Sequence, residues 1–265
     1  MKAFVSILFS ILTFTFLTLL TQIGGIVYLL SELIYRQLNR KKATVRWLLF
    51  AVLYLIATLL IVPTIAPFFG RVPVKHRDNL KPSTCATVLL NRNYVTPELN
   101  NLLQQTAKEL ATQNLSVNYL DACFPFYDKF PLLPHLSHND GRKIDLSFIY
   151  VTPDGQPTNQ QKSISGYGVF EPPKAGETDQ TSICKSNGHK QYDLAQYLTF
   201  GRINKEIQFS ASSTKQLIQA LLKQTKLEKI FIEPHLKERL NLQSNKVRFH
   251  GCHSVRHDDH IHIQL

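Results

Sequence analysis

Two long apolar runs constrain this chain more than any other feature. Ala3 to Tyr35 holds a single charged residue, Glu32, and Trp47 to Phe69 holds none. Each is longer than the ~20 residues that an α-helix needs to cross a bilayer core. The first is too long for the ~7–15-residue apolar stretch of a secretory signal, and no small-residue cleavage motif follows it. Two transmembrane helices are therefore predicted. Between them lie Arg36, Arg40, Lys41, Lys42 and Arg46, against Lys2 alone before the first run. The positive-inside rule puts that short loop in the cytoplasm. The expectation is a membrane hairpin over 1–70, with the N-terminus and a large domain, 71–265, both outside. Gly24-Gly25 is a point where the helices could approach closely.

The remainder is long enough for one domain with its own core. The formal net charge is +11, and no Lys/Arg block forms a nucleic-acid stripe in 71–265, so no nucleic-acid partner is expected. All four cysteines, Cys85, Cys123, Cys184 and Cys252, fall in this outer part. In an oxidising compartment an even count reads as two disulfides, with three connectivities open. Thr96 to Gln113 and Ser213 to Gln224 have helical apolar spacing and read as scaffold. Lys229 to Glu233 reads as a buried strand, and Glu233-Pro234-His235 as a helix start with His235 at the surface. Gly166 to Pro173 reads as an ordinary connection rather than the wall of a cleft.

Ten histidines are present, and five of them fall in two short segments. One is His135-Leu136-Ser137-His138-Asn139-Asp140-Gly141-Arg142-Lys143-Ile144-Asp145. The other is His257-Asp258-Asp259-His260-Ile261-His262. Imidazole nitrogen with a carboxylate as third ligand suits zinc, and a catalytic zinc keeps three protein ligands with one open position. His138, Asp145 and His262 supply such a set. Val255 to Leu265 reads as a strand with His260 and His262 on one face and Ile261 and Ile263 on the other. Ile144 to Tyr150 alternates likewise, with Asp145 and Ser147 sharing a face. If the two strands pair, their polar faces meet.

His-x-x-Gly-x-x-x-Asp with a late His-x-His resembles the signature of the LAS metallopeptidases (lysostaphin-type, D-Ala-D-Ala peptidase and hedgehog-like). The likeness is nearest to penicillin-insensitive murein endopeptidases, through His135, Ser137 and the run His257-x-x-His260-x-His262. Weaker likeness extends through 89–94 and 229–232. The family's aromatic residues before the final histidines are here Phe249-His250-Gly251-Cys252-His253. The resemblance implies Zn2+ as cofactor, His138, Asp145 and His262 as its ligands, and His135 and Ser137 at the substrate. It implies peptidoglycan stem peptides or cross-bridges as substrate, cut by an endopeptidase or carboxypeptidase at the outer face of the inner membrane.

The expected fold is α+β: a small antiparallel sheet carrying a zinc site, flanking helices, and the two-helix membrane hairpin before it. His260, on the ligand face, reads as general base or oxyanion stabiliser, with His257 as its helper. Asp258 and Asp259 are either orienting partners of these histidines or solvated turn residues. A second reading is a non-catalytic zinc module that binds a cell-wall or protein ligand. Against it, a pure binding domain has no chemical need for His257 and His260 beside a full ligand set. A third, a membrane receptor, has only the basic loop in its favour.

Overall fold

The structure is a computed structural model, described for residues 2–38 and 42–265. Of the basic loop, Arg40 and Lys41 lie outside the described residues. The chain forms two compact units: Met1–Val74 with Ala86–Pro97 and Cys123–Gly141, and Lys75–Cys85 with Glu98–Ala122 and Arg142–Leu265.

In the first unit, the apolar run from Ala3 to Tyr35 is two helices rather than one. Helix α1, Lys2–Thr21, ends where Gln22 takes a left-handed φ of 67°, and α2, Gly24–Gln37, starts after Ile23. The Gly24 N–H donates to Thr21 Oγ1 at 2.8 Å, so the threonine satisfies one of the free amides at the start of α2. α2 returns along α1, with Tyr28 O–H donating to Ser10 Oγ. The helical run α3, Ala43–Phe69, then returns along α2: Arg46 pairs with Glu32 and donates to Tyr28 Oη at 2.9 Å, and Trp47 stacks on Tyr28. Three successive antiparallel helices place the start of α1 at the same end as the 38–42 connection. The helices long and apolar enough to cross a membrane are Phe4–Thr21 and Ala43–Phe69.

α3 widens into a π turn at Ala57–Ile61 and closes in a 3-10 turn at Ala66–Phe69. Pro63 explains the widening, since it has no N–H to give the carbonyl four residues back. Ile23, Val27, Val62, Ala66 and Tyr94 form the unit's apolar cluster.

Gly25 is where α1 and α2 approach most closely. A Cβ built there would lie 2.0 Å from Thr18 Oγ1 and 2.7 Å from Phe14 O. Gly25→Leu is expected to cost about 1–3 kcal/mol by overpacking, read as a lower thermal midpoint of the detergent-solubilised chain. An unchanged midpoint would reject the close approach.

The second unit is built on a six-stranded sheet. Its strands are β1 (Leu80–Pro82), β2 (Val117–Asp121), β3 (Lys143–Ser147), β4 (Lys229–Phe231), β5 (Val247–Arg248) and β6 (His260–Gln264). The order is β5-β4-β6-β3-β2-β1. The pairs β4–β6, β6–β3 and β3–β2 are antiparallel, and the two edge pairs are parallel. The sheet is thus mixed, larger than the small antiparallel one expected. A separate three-stranded sheet joins Tyr150–Val151 to Pro157–Thr158 and Gln208–Phe209.

Two amphipathic helices form where the spacing predicts them, α4 (Pro97–Ala111) and α6 (Ala211–Leu222), tied by an ion pair from Lys223 to Glu109. Their apolar stripes, including Leu99, Leu103, Leu110, Leu217 and Leu221, are fully buried, as are Ile144, Leu146, Ile261 and Ile263. Short helices α5 (Gln180–Ser186) and α7 (Pro234–Arg239) complete the unit. The terminal strand is shorter than predicted: 255–259 is a loop, buried from Arg256 on, and pairing begins at His260.

Candidate functional site

The strand register creates the site. His262 lies directly opposite Asp145, and His260 opposite Ser147. Because alternate side chains share a face, these four stand together away from the isoleucines. Asp145 is 1% exposed, and both of its oxygens are engaged. His262 Nδ1–H donates to Oδ1 at 2.8 Å, and Tyr167 O–H donates to Oδ2 at 2.9 Å. Within the segment 135–145, His135, His138 and Asp145 each offer a ligand atom, all within 4.8 Å of one another. That group could hold a metal ion. The donor set fits: two imidazoles and a carboxylate suit a borderline-soft divalent ion. His262 adds a third imidazole on the same carboxylate. His135, expected at the substrate, is therefore placed among candidate ligands. Ser137 is exposed, and its carbonyl accepts the Asn139 N–H.

His260 and His257 sit beside this set in opposite protonation environments. His260 Nε2 is 3.7 Å from Asp145 Oδ1, and its Nδ1–H donates to Asp259 Oδ1 at 2.5 Å. Burial opposes a charge on His260, but Asp145 and Asp259 outweigh it and push the imidazole up to about 9. His257 is held well below the ordinary imidazole range, by burial first and then by the neighbouring His260 and His262. Two similar groups driven apart in this way could serve as an acid and a base.

Asp258 and Asp259 are buried, not solvated. Asp259 holds His260 through one oxygen and accepts the Gly168 N–H at 2.5 Å through the other. Asp258 accepts two hydrogen bonds from Arg256, at 2.7 and 2.5 Å. Arg256 also donates to Asp193 at 2.8 Å and lies over the Phe170 ring. Glu233 Oε1 accepts Tyr192 O–H at 2.5 Å and the His257 N–H at 3.0 Å. The loop bearing His257 is thereby fixed from several sides before β6 begins.

Tyr167, Glu233 and Asp193 escape sequence reasoning because their partners are distant in the chain; Arg256 holds Asp258 two residues on and also reaches the distant Asp193. Gly166 to Pro173 proves to be a wall of the site, not a plain connection. It supplies Tyr167 and the Gly168 N–H, and its Glu171 N–H donates to Asp258 O at 2.7 Å. Gly168 has a φ of +77°, and a Cβ there would meet Ala195 O at 2.4 Å, so the Asp259 contact requires glycine. His235 is also corrected. It begins α7 as predicted but is 1% exposed, with Nε2 donating to Glu171 O at 2.8 Å.

One disulfide is present rather than two. Cys184 on α5 bonds to Cys252, five residues before His257, while Cys85 and Cys123 are free thiols. The bridge anchors the loop that leads into the site, as the position of Cys252 suggests. It closes a separation of 68 residues, worth about 4 kcal/mol in the chain-entropy account. Reductant is expected to lower the thermal midpoint of the chain, and Cys184→Ser to reproduce the drop without reductant. A midpoint indifferent to both would remove the bridge from the stability of this region.

No protein-family model matches the chain, and no curated protein matches it in sequence.

Proposed function

We propose that this chain is a membrane-anchored, zinc-dependent peptidase that hydrolyses peptide bonds of peptidoglycan, with its six-stranded unit outside the inner membrane. The observation that carries the reading is the convergence on Asp145. One buried carboxylate accepts from His262 and Tyr167 and belongs with His135 and His138 to a group that could hold a metal ion, with His260 alongside. His138, Asp145 and His262 are the proposed ligands, with His135 as a further imidazole in the group. A bound zinc would supply Lewis-acid polarisation of a carbonyl and an activated water.

The protein's own groups account for the rest. His260, held by Asp259 in a protonated state, presents N–H toward negative charge developing beside Asp145. His257, kept neutral, suits the proton acceptor. Tyr167 fixes the second oxygen of Asp145 and so orients the carboxylate. Of the two roles open to His260, the structure favours oxyanion stabiliser. The two candidate membrane helices and the disulfide support an extracytoplasmic location. A non-catalytic zinc module is the alternative, and the acid–base pair disfavours it.

The test is digestion of purified cross-linked muropeptides by the full chain in detergent, with and without a chelator. Cleavage that the chelator abolishes and zinc restores supports the reading. Stoichiometric zinc with no cleavage would favour the binding module.

A further inference from the structure

The register joins one row of side chains across four strands of the sheet. Asp145 pairs with His262, His262 with Phe231, and Phe231 with Arg248. Paired residues share a face. The Asp145 carboxylate lies on the β3 side of His262, and a guanidinium lies on the β4–β5 side.

Two further side chains, Lys229 and His250, line that second side. Lys229 stands two residues before Phe231 on the same strand face. His250, just past β5, is exposed and sits edge-on to the Phe231 ring at 4.3 Å, with its own ring 5.6 Å from that of His257. Burial and then the Lys229 charge hold His250 below the ordinary imidazole range, so it offers a neutral ring there. The nearest acid in sequence, Glu228, faces away by strand alternation and pairs with Arg142. Arg248 is exposed on the sheet edge, with its Nε–H donating to Asn245 O at 2.7 Å.

We propose that Arg248, with Lys229 and His250, forms a subsite for a carboxylate of the ligand, on the side of His262 away from Asp145. The position of the reacting bond rests on the peptidase reading above. A fixed guanidinium takes a carboxylate through paired N–H donors. Strands are spaced by ~4.8 Å, so Arg248 stands roughly 10 Å from His262 along the row. An extended peptide rises ~3.3 Å per residue, which places the carboxylate about three residues from the bond that is cut.

The experiment compares stem peptides released from peptidoglycan with the same peptides after amidation of every carboxyl, using the full chain in detergent. The acid forms are expected to be cleaved at least ~10-fold more efficiently in kcat/KM, mostly through KM. Arg248→Met should lower the acid forms to the level of the amides and leave the amides unchanged, and Arg248→Lys should restore part of the difference. Equal cleavage of acid and amide by the parent overturns the subsite while leaving the peptidase reading intact. An equal fall in both for Arg248→Met also overturns it, since that marks a structural role. Cleavage of neither form rejects the peptidase reading instead. Calorimetric titration of both forms then decides the subsite: tighter binding of the acid, lost in Arg248→Met, upholds it, and equal affinity ends it.

Discussion

Asp145→Ala is expected to strip the zinc and abolish hydrolysis, with a loss of at least ~10³-fold. The carboxylate accepts from His262 and Tyr167 and is the acid of the group that could hold a metal ion. Removing a ligand from a set of three costs most of the metal affinity, because the remaining donors no longer close the coordination shell. The variant also leaves a buried imidazole N–H and a phenol without their acceptor, at about 1–3 kcal/mol each. A loss of fold could therefore imitate a loss of ligand. Asp145→Asn separates the two, since it keeps shape and an acceptor oxygen but removes the charge. Zinc counted by elemental analysis on folded protein, with the thermal midpoint of the same preparation, gives the answer. Stoichiometric zinc in folded Asp145→Ala would remove this residue from the ligand set.

His260→Ala is expected to keep its zinc and lose about 10²–10⁴-fold in turnover, the usual scale of an acid–base or charge-stabilising group. His260 already spends Nδ1 on Asp259, and its Nε2 is 3.7 Å from the Asp145 carboxylate. It is set up to present a proton near Asp145. Asp259→Asn should reproduce part of the loss, because it removes one of the three carboxylate charges that favour the protonated imidazole. His257→Ala is expected to have a smaller effect. Metal content and muropeptide cleavage are read on the same preparations. Zinc lost with His260 would make it a ligand. Zinc and full activity both retained would move the chemistry to His257.

The part of the site carried by alternation is legible in the sequence. His260, His262, Asp145 and Ser147 fall on one face because a strand has a period of two, and the isoleucines between them mark the other face. The helices α4 and α6 are legible for the corresponding reason at a period of 3.6. What escapes is what periodicity does not encode. β1 and β5 are three and two residues long, too short for a pattern, so the parallel edges of the sheet go unseen. The first apolar run reads as one helix because hydropathy is blind to the reversal at Gln22. Arg256, Glu233 and Tyr167 look like ordinary loop residues until folding brings their partners in. His235 looks exposed because it starts a helix, yet Glu171 and the loop around Asp258 cover it.

The direct pairing of Asp145 with His262 has a further consequence. Sliding β6 by one residue against β3 would turn Ile261 and Ile263 to the polar face and drive His260 and His262 among the core side chains. Uncompensated burial of such polar groups costs several kcal/mol, and the displaced isoleucines would cover buried polar groups and deprive them of their partners. The apolar and chemical faces of this strand pair thus act as two independent locks on one alignment. A misaligned chain would lose its core and its site together, so an assembled site reports that the sheet is correctly in register.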